Sequence, residues 1–308
     1  MEEIRDIFGK ELLEIGKKEK RIIVLDADVG SSTRSLKFSE LGQRFIQCGI
    51  AEQNMVGISA GLALKGMIPI VTSFAVFVTG RCYDQIRISI AYPKLNVKIV
   101  GSHAGLTAGP DGPTHQAIDD IALMRALPNM MVLEPADKKE MKIVLNESIK
   151  HNGPVYIRIN RGSSPEVCNI DDICFKKINI LKKGNDVGIL ASGFMVDKAL
   201  KAAKILETEY INALVADIHC IKPLDVDTLL DIARKVRFIL TIENHSIIGG
   251  MGSAVSEILA ELYPLPIIKM GVKDTFAESA DTMQLFEKYG LTEANIIDTI
   301  KRHLKSNF

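Results

Sequence analysis

The sequence predicts two consecutive three-layer α/β domains whose sheets are mostly parallel. Two observations support this prediction. A chain of 308 residues is longer than one hydrophobic core usually supports, so two domains are expected. Short runs rich in apolar residues also alternate with helical patterns along most of the chain, which is typical of parallel sheets covered by helices on both faces.

The first domain begins with a charged, amphipathic segment at residues 1–20, which predicts a surface helix rather than a secretion signal. Five apolar runs then predict strands at residues 21–28, 68–74, 96–103, 130–137 and 154–162. Between these strands, apolar and small residues at helical spacing predict helices at 50–64 and 137–150.

The alternating pattern lapses between residues 163 and 184. We therefore predict a first domain at 1–165, a linker at 166–184 and a second domain at 185–308. The second domain is predicted to contain strands at 186–193, 211–220, 237–244 and 264–272, and to end with a helix at 293–305.

The charge balance argues against non-specific attraction to nucleic acid or to an anionic membrane, because 38 basic and 38 acidic residues cancel. The sequence contains no run of about 18 apolar residues that could span a bilayer. The five cysteines form no Cys-x-x-Cys pair. We therefore expect reduced thiols and a cytoplasmic protein.

Polar and aromatic residues follow the carboxyl ends of the predicted strands. They are Asp26, Asp28 and residues 31–33 after the first strand, Phe74 and Phe77 after the second, His103 after the third and Arg161 after the fifth. Ligands of open parallel sheets bind beyond these strand ends. The sequence therefore predicts one binding site at this edge of the first sheet.

Glu52 stands at the start of the predicted helix 50–64, followed by small and apolar residues. An acidic residue in this position is also typical of a helix stabilised by its own dipole, without any further function. The small residues favour close backbone packing, as at a subunit interface.

The loop 101–120 is rich in glycine and proline and contains His103, Asp111 and His115. Long loops of this kind usually serve function. All three residues are metal-ligand types, but their spacing fits no standard metal motif. The alternative without function is a polar turn that caps the next helix.

Phe74 and Phe77 stand three residues apart at a junction between strand and helix. They are interpreted either as ordinary core residues or as an aromatic wall for a flat heterocycle.

Four motifs occur in the order found in transketolase. They are Gly-Ile-Ala-Glu-Gln at 49–53, the aromatic pair at 74 and 77, Asp-Gly-Pro-Thr-His-Gln at 111–116 and Asn-Arg-Gly at 160–162. The whole chain resembles the pyrimidine-binding domain followed by the C-terminal domain of that family. The resemblance extends more loosely to deoxyxylulose-phosphate synthase and to the beta subunits of 2-oxo acid dehydrogenases.

The resemblance implies that Glu52 hydrogen-bonds a ring nitrogen of the aminopyrimidine of thiamine diphosphate and so activates the cofactor. A carboxyl group at such a position can share a proton with a weakly basic ring. Phe74 and Phe77 resemble the aromatic residues around the pyrimidine, with Phe77 the stronger match. Asp28 matches an aspartate near the cofactor.

The resemblance also implies substrate contacts. His103 and His115 resemble histidines near the reacting hydroxyls, and so count as catalytic and substrate-binding residues. Asp111 resembles the aspartate that contacts a hydroxyl of the donor sugar. Arg161 resembles an arginine that holds the substrate phosphate, where a bidentate guanidinium is well suited. Arg5 and Ser32 match two further phosphate contacts.

Members of the family hold the cofactor diphosphate through a divalent metal bound by a Gly-Asp-Gly motif with a downstream asparagine. This chain contains no Gly-Asp-Gly, so we expect no metal site in it. The resemblance therefore implies an N-terminal partner subunit that binds the diphosphate and Mg²⁺ or another divalent metal. Thiamine diphosphate would bridge the two subunits, and an α2β2 heterotetramer is expected.

The expected reaction is ketol transfer between sugar phosphates. The alternative reactions are decarboxylation of a 2-oxo acid and condensation of pyruvate with an aldehyde phosphate, against which His103 and the run Pro113–Thr114–His115 argue. A third alternative is a degenerate subunit that only stabilises or regulates a partner. The intact residues Glu52, Asp111 and His115 argue against it.

Overall fold

The computed structural model describes residues 3–168 and 173–305. The strands of the first domain are β1 (Ile22–Asp26), β2 (Phe45–Gln47), β3 (Ile68–Phe74), β4 (Lys98–Ser102), β5 (Met131–Leu133) and β6 (Val155–Arg158). The strands that follow are β7 (Asn179–Lys182), β8 (Val187–Ala191), β9 (Ala213–Asp217), β10 (Cys220–Lys222), β11 (Ile239–Ser246) and β12 (Ile267–Val272).

The α-helices cover both sheets. In the first domain they are α1 (Ile4–Lys18), α2 (Gly30–Thr33), α3 (Glu52–Leu64), α4 (Tyr83–Gln85), α5 (Asp120–Ala126) and α6 (Lys138–Lys150). In the second they are α7 (Met195–Thr208), α8 (Val226–Ala233), α9 (Met251–Leu262), α10 (Thr282–Lys288) and α11 (Glu293–Lys305). Tighter 3-10 turns occupy Ser35–Arg44 and Gly105–Asp111, and wider π-helical turns occupy Phe77–Arg81 and Ile86–Ala91. In the two described ranges, no helix is long and apolar enough to cross a membrane.

The strands form two mostly parallel sheets, which confirms the predicted fold class. The first sheet has seven strands in the order β10-β5-β6-β4-β3-β1-β2, and the second has five in the order β12-β11-β8-β9-β7. Only β10 and β7 pair antiparallel with their neighbours. The central strand β3 is buried at all seven positions, as expected for a strand with helices on both faces.

The five predicted strands of the first domain each contain an observed strand, although most of the observed strands are shorter. The polar residues at the predicted ends belong instead to loops. Asp28 and His103, for example, have positive φ angles of 64° and 56°, which end the extended backbone.

The structure places a strand inside the segment predicted to be a linker, and it corrects one predicted strand. β7 lies inside the segment 166–184 that was predicted to be a linker, and it pairs with β9. The predicted strand 211–220 ends at Asp217 in the second sheet, and β10 then pairs with β5 of the first sheet. β2 was not predicted. Covering the edge of β5 with β10 removes an exposed row of unpaired backbone groups, and it ties the second half of the chain to the first sheet.

A buried ion-pair network also joins the two halves. The Arg158 guanidinium donates from Nε to Asp120 Oδ2 at 2.8 Å and from Nη1 to Glu134 Oε1 at 2.5 Å. Its Nη2 donates to the backbone oxygen of Asn244, on β11, at 2.9 Å. Arg158, Asp120 and Glu134 have no exposed side-chain surface, so this cation depends entirely on these partners.

A second buried cluster surrounds His219, just after β9. His219 Nδ1 lies 3.0 Å from Glu140 Oε1 and 3.8 Å from Asp217 Oδ2. The Asn179 amide nitrogen lies between them, 3.3 Å from Glu140 and 3.4 Å from Asp217. Burial by itself lowers the pKa of His219, but the hydrogen bonds and charges of Asp217 and Glu140 outweigh it and raise the pKa to about 10. His219 is therefore expected to be protonated at neutral pH, and burial beside Glu140 raises the pKa of Asp217 as well.

Replacing His219 by glutamine is expected to change how stability depends on pH. The folded-state pKa of His219 lies above the value near 6.5 of an unfolded histidine, so its stabilisation is complete below about pH 6.5 and is lost as the pH rises through 10. Denaturant unfolding at several pH values measures the effect. Between pH 6.5 and 10 the free energy of unfolding should fall more steeply with pH for the native chain than for His219→Gln, by up to about 1.4 kcal/mol per pH unit. Parallel curves for the two proteins between pH 6.5 and 10 would contradict the assignment.

Candidate active site

A polar cleft of about 450 Å³ lies at the carboxyl ends of β1, β3, β4 and β6. Its lining residues are Arg5, Ser31, Ser32, Arg34, Phe74, His103, Asp111, His115 and Arg161. They come from α1 and from the segments that follow these parallel strands, whose carboxyl ends meet at one edge of the sheet. The cleft therefore contains the six residues that the sequence assigns to substrate binding, which are Arg5, Ser32, His103, Asp111, His115 and Arg161.

His103 forms the inner wall of the polar cleft, immediately after β4. Its ring stacks on Phe74 with the centroids 4.0 Å apart. Nδ1 lies 2.9 Å from Ser102 Oγ, and Nε2 lies 3.2 Å from Arg5 Nη1. Since a guanidinium only donates, Nε2 acts as the acceptor and Nδ1 carries the proton. The positive φ of 56° is uncommon for a residue with a side chain and is frequently found at functional sites.

The environment keeps His103 neutral. Burial lowers its pKa to about 3, and the positive charges of Arg5, Arg161 and Arg34 act in the same direction. A neutral imidazole has one acceptor nitrogen, which an imidazolium lacks. In His103 this nitrogen is Nε2, so a hydroxyl group can donate to it only by taking the place of Arg5.

His115 contacts both aromatic residues. Its ring meets Phe77 edge to face with the centroids 5.1 Å apart, and it meets Phe74 in the same way at 6.1 Å. Nδ1 lies 2.9 Å from Thr114 Oγ1. The two phenylalanine rings are nearly parallel, 5.9 Å apart. Phe74 therefore contacts both histidines of the polar cleft.

Three arginines and three carboxylates make the polar cleft strongly charged. Arg5 pairs with Glu3, Arg34 with Asp6 at 2.8 Å, and Arg161 with Asp111 at 3.4 Å. Arg5 Nη1 also donates to the backbone oxygen of Ser32 at 2.9 Å. Each guanidinium is thus held in one orientation by an acceptor of the chain itself.

Glu52 lies in a second, adjoining cleft that we call the carboxylate cleft. Its lining residues are Ile50, Ala51, Glu52, Gln53, Asn54 and Arg81. Glu52 is the first residue of α3 and is 5% exposed. Its Oε1 accepts a hydrogen bond of 3.0 Å from Arg81 Nη1, and the Arg81 side chain is half exposed. Because its ionic partner is half exposed, this buried carboxylate can exchange Arg81 for a competing ligand.

Arg81 connects the carboxylate cleft to the aromatic pair. Its guanidinium carbon lies 4.0 Å from the centre of the Phe77 ring. Phe77 in turn contacts Phe74 and His115, which line the polar cleft. Contacts through Arg81 and Phe77 therefore link Glu52 to the histidine side of the site.

The structure places Asp28 outside both clefts. Its side chain is exposed, and its backbone nitrogen donates to Gln47 Oε1 at 2.9 Å. Its predicted proximity to a cofactor therefore stays a prediction. Asp26, two residues earlier, is fully buried and accepts hydrogen bonds from Ser35, Thr72 and Val29, so it stabilises the loop after β1.

Sequence reasoning missed two charged lining residues, Arg34 and Arg81. Arg34 follows Ser32 and Thr33 in the loop after β1, and this position at a strand end was the available signal. Arg81 ends the π-helical turn Phe77–Arg81. Such turns are frequent at functional sites, but nothing in the sequence distinguishes them from an ordinary helix.

Comparison with known families identifies both halves of the chain. Residues 2–166 match the model "Transketolase, pyrimidine binding domain", and residues 176–296 match "Transketolase, C-terminal domain".

The relatives match over nearly their whole length. A putative transketolase C-terminal section of Methanocaldococcus jannaschii is 41% identical over 98% of this chain and 96% of its own. A 6-deoxy-6-sulfo-D-fructose transketolase subunit of a Clostridium species is 42% identical over 96% of this chain and 92% of its own. A solved structure described as a split gene transketolase, an inactive beta4 tetramer, is 46% identical, covers 97% of both chains and has a TM-score of 0.90.

Proposed function

Since this chain belongs to the transketolase family, we propose that it is one subunit of a split, thiamine-diphosphate-dependent transketolase. The complex would transfer a two-carbon ketol unit between sugar phosphates. The observation that carries this proposal is that the buried Glu52 carboxylate is linked to the polar cleft through Arg81 and the aromatic pair, Phe77 and Phe74. A flat ring that takes the place of Arg81 on Phe77 would lie between Glu52 and the substrate residues.

The residues around Glu52 fit an aminopyrimidine. The carboxylate can hold a proton shared with a ring nitrogen, and Phe77 offers a flat apolar face of the kind that heterocycles stack on. Bound thiamine diphosphate would supply a carbon nucleophile and an electron sink for the ketol unit. The part of this chain is to orient the ring and to hold the proton at Glu52.

The polar cleft fits the end of a phosphorylated sugar. Arg5, Arg161 and Ser32 would bind the phosphate, because guanidinium groups form charge-assisted hydrogen bonds with its oxygens. His103, which is neutral, would accept a hydrogen bond from a hydroxyl group that takes the place of Arg5 at Nε2. His115 and Asp111 would contact the hydroxyls nearest the aromatic wall, Phe77 and Phe74.

We assign the diphosphate and Mg²⁺ or another divalent metal to an N-terminal partner subunit. The support is that no Gly-Asp-Gly motif occurs in this sequence and that relatives of the same length are named as a C-terminal section and as a subunit. We further propose an α2β2 assembly in the cytoplasm. The free cysteines support this location, since thiols stay reduced there.

The exposed face of α3 supports such an assembly. It carries Gln53, Asn54, Gly57, Gly61 and Leu64, and a Cβ atom at Gly57 or Gly61 would meet nothing within 4 Å. Glycine inside a helix lowers helix stability by roughly 0.5–1 kcal/mol relative to alanine. Because Gly57 and Gly61 leave the backbone of α3 uncovered near Glu52, this face of the helix is suited to close contact with another subunit.

Replacing Gly61 by glutamine is therefore expected to weaken subunit association while leaving the helix as stable as before or more stable. Analytical ultracentrifugation should show that the variant complex dissociates at protein concentrations at which the native complex stays assembled. The far-ultraviolet circular dichroism should show no loss of helix signal. The matched control is Lys204→Gln on the exposed side of α7, for which no change in association is expected. Unchanged assembly of the Gly61 variant would contradict the proposed interface.

The reaction is tested by substrate choice in the assembled complex. We expect transfer of a two-carbon unit from a ketose phosphate to an aldose phosphate, detected by the shortened donor and the lengthened acceptor. Consumption of pyruvate with release of carbon dioxide, and no transfer between sugars, would favour the synthase-like or dehydrogenase-like alternative.

A further inference from the structure

Arg34 lines the polar cleft but has no counterpart among the residues that the family resemblance assigns. We infer that Arg34 is a third anion-binding residue, which acts with Arg5 and Arg161 to select substrates that end in a tetrahedral oxyanion such as a phosphate or a sulfonate. This inference rests on the proposed function and specifies the substrate class of the same site.

The backbone at Arg34 is arranged at a conformational cost. Arg34 links α2 to the turn Ser35–Arg44 with a φ of 71°, a left-handed conformation that is uncommon for a residue with a side chain. Helix α1 approaches it closely at Gly9, where an added Cβ would lie 2.8 Å from the Cβ of Arg34. Glycine at position 9 therefore permits the close approach that places Arg34 beside Arg5.

Two hydrogen bonds to other residues of the chain fix the orientation of the Arg34 guanidinium. Nε donates to Asp6 Oδ1 at 2.8 Å, and Nη1 donates to the backbone oxygen of Ser31 at 2.8 Å. Among the residues that the structure describes, no partner is found for Nη2. A guanidinium that is already oriented and retains free N–H groups is ready to bind an oxyanion.

The positive charge of Arg34 acts on the same part of the polar cleft as the charges of Arg5 and Arg161. All three contribute to holding His103 neutral, and all three line the polar cleft with His103. Each of the three guanidinium groups is paired with one carboxylate of the chain. A terminal anion, with three oxygens, can accept hydrogen bonds from the N–H groups that these pairs leave free.

If Arg34 had only a structural role, that role would be to form its ion pair with Asp6. The pair is partly exposed, at 35% for Arg34 and 26% for Asp6, and such pairs contribute little to stability. Arg34→Gln removes both the pair and the free N–H groups, whereas Asp6→Asn removes the ionic partner and keeps the guanidinium. Comparing the two variants therefore separates the two roles.

The test uses the assembled complex and three kinds of donor: a ketose phosphate, the corresponding sulfonate and the uncharged ketose. For Arg34→Gln we expect KM for the phosphate and sulfonate donors to rise roughly 10–100-fold, with kcat little changed. We expect KM for the uncharged ketose to stay within about twofold, and Asp6→Asn to have a much smaller effect. Arg34→Lys, which keeps the charge but loses the planar fork, should fall between the native enzyme and Arg34→Gln.

Inorganic phosphate provides a readout that is independent of sugar structure. It should compete with the phosphorylated donor in the native complex, and its inhibition constant should rise roughly 10-fold or more in Arg34→Gln. An equal change of KM for charged and uncharged donors, or identical effects of Arg34→Gln and Asp6→Asn, would overturn the inference. A native complex that transfers no ketol unit from any donor would instead refute the proposed function itself.

Discussion

Replacement of Glu52 by glutamine is expected to lower kcat of the assembled complex by about 10²–10⁴-fold, the range found for positioned proton-transfer groups. Glutamine keeps the size and polarity of the side chain but cannot hold the exchangeable proton that the aminopyrimidine needs. Steady-state turnover of a ketose phosphate donor measures the effect. Binding of the donor should change little, because Glu52 lies in the carboxylate cleft and the donor residues lie in the polar cleft.

The fold should tolerate the same substitution. The only ionic partner of Glu52 in the described part of the chain is Arg81, which is half exposed, and such pairs contribute at most about 1 kcal/mol. The matched control is Glu261→Gln, the same substitution at an exposed position of α9, for which turnover should stay within a few-fold of native. Full activity of Glu52→Gln would support the alternative of a degenerate subunit that only stabilises its partner.

Replacement of Arg158 by methionine is expected to lower the free energy of unfolding by about 3–5 kcal/mol, the usual cost of removing one partner of a buried ion pair. Methionine has a similar length but leaves the carboxylates of Asp120 and Glu134 without their cation in the interior. The backbone oxygen of Asn244 loses its donor as well. Denaturant unfolding monitored by circular dichroism measures the change.

Arg21→Met is the control for this stability experiment. Arg21 pairs with Glu19 on the surface, and its side chain is 60% exposed. Its removal should change the free energy of unfolding by no more than about 0.5 kcal/mol. A loss below 1 kcal/mol for Arg158→Met would show that other groups replace the buried guanidinium and that the network does not hold the two halves together.

The sheet cores were predictable because each central strand is buried on both faces. β8 and the first four residues of β3 read as continuous apolar runs, and that pattern requires no knowledge of the partner strand. β10 was not predictable in this way. It follows β9 after only Ile218 and His219, and only the three-dimensional path shows that its residues leave the second sheet and pair with β5.

The residues of the polar cleft were predictable because parallel strands place their carboxyl ends at one edge of a sheet. His103 and Arg161 were found in this way, and Arg5 was found through the family resemblance. Arg34 and Arg81 were not found. Their placement depends on a left-handed residue and on a π-helical turn, and neither feature leaves a clear periodicity in the sequence.

The central claim is that Glu52 serves a cofactor whose phosphates are held by another polypeptide. Calorimetric titration of thiamine diphosphate, with and without Mg²⁺, measures this most directly. It should be carried out on this chain alone, on a partner that carries Gly-Asp-Gly with a downstream asparagine, and on their mixture. We predict tight, magnesium-dependent binding at one cofactor per pair of subunits in the mixture alone. Tight, magnesium-dependent binding by this chain in the absence of any partner would contradict the account.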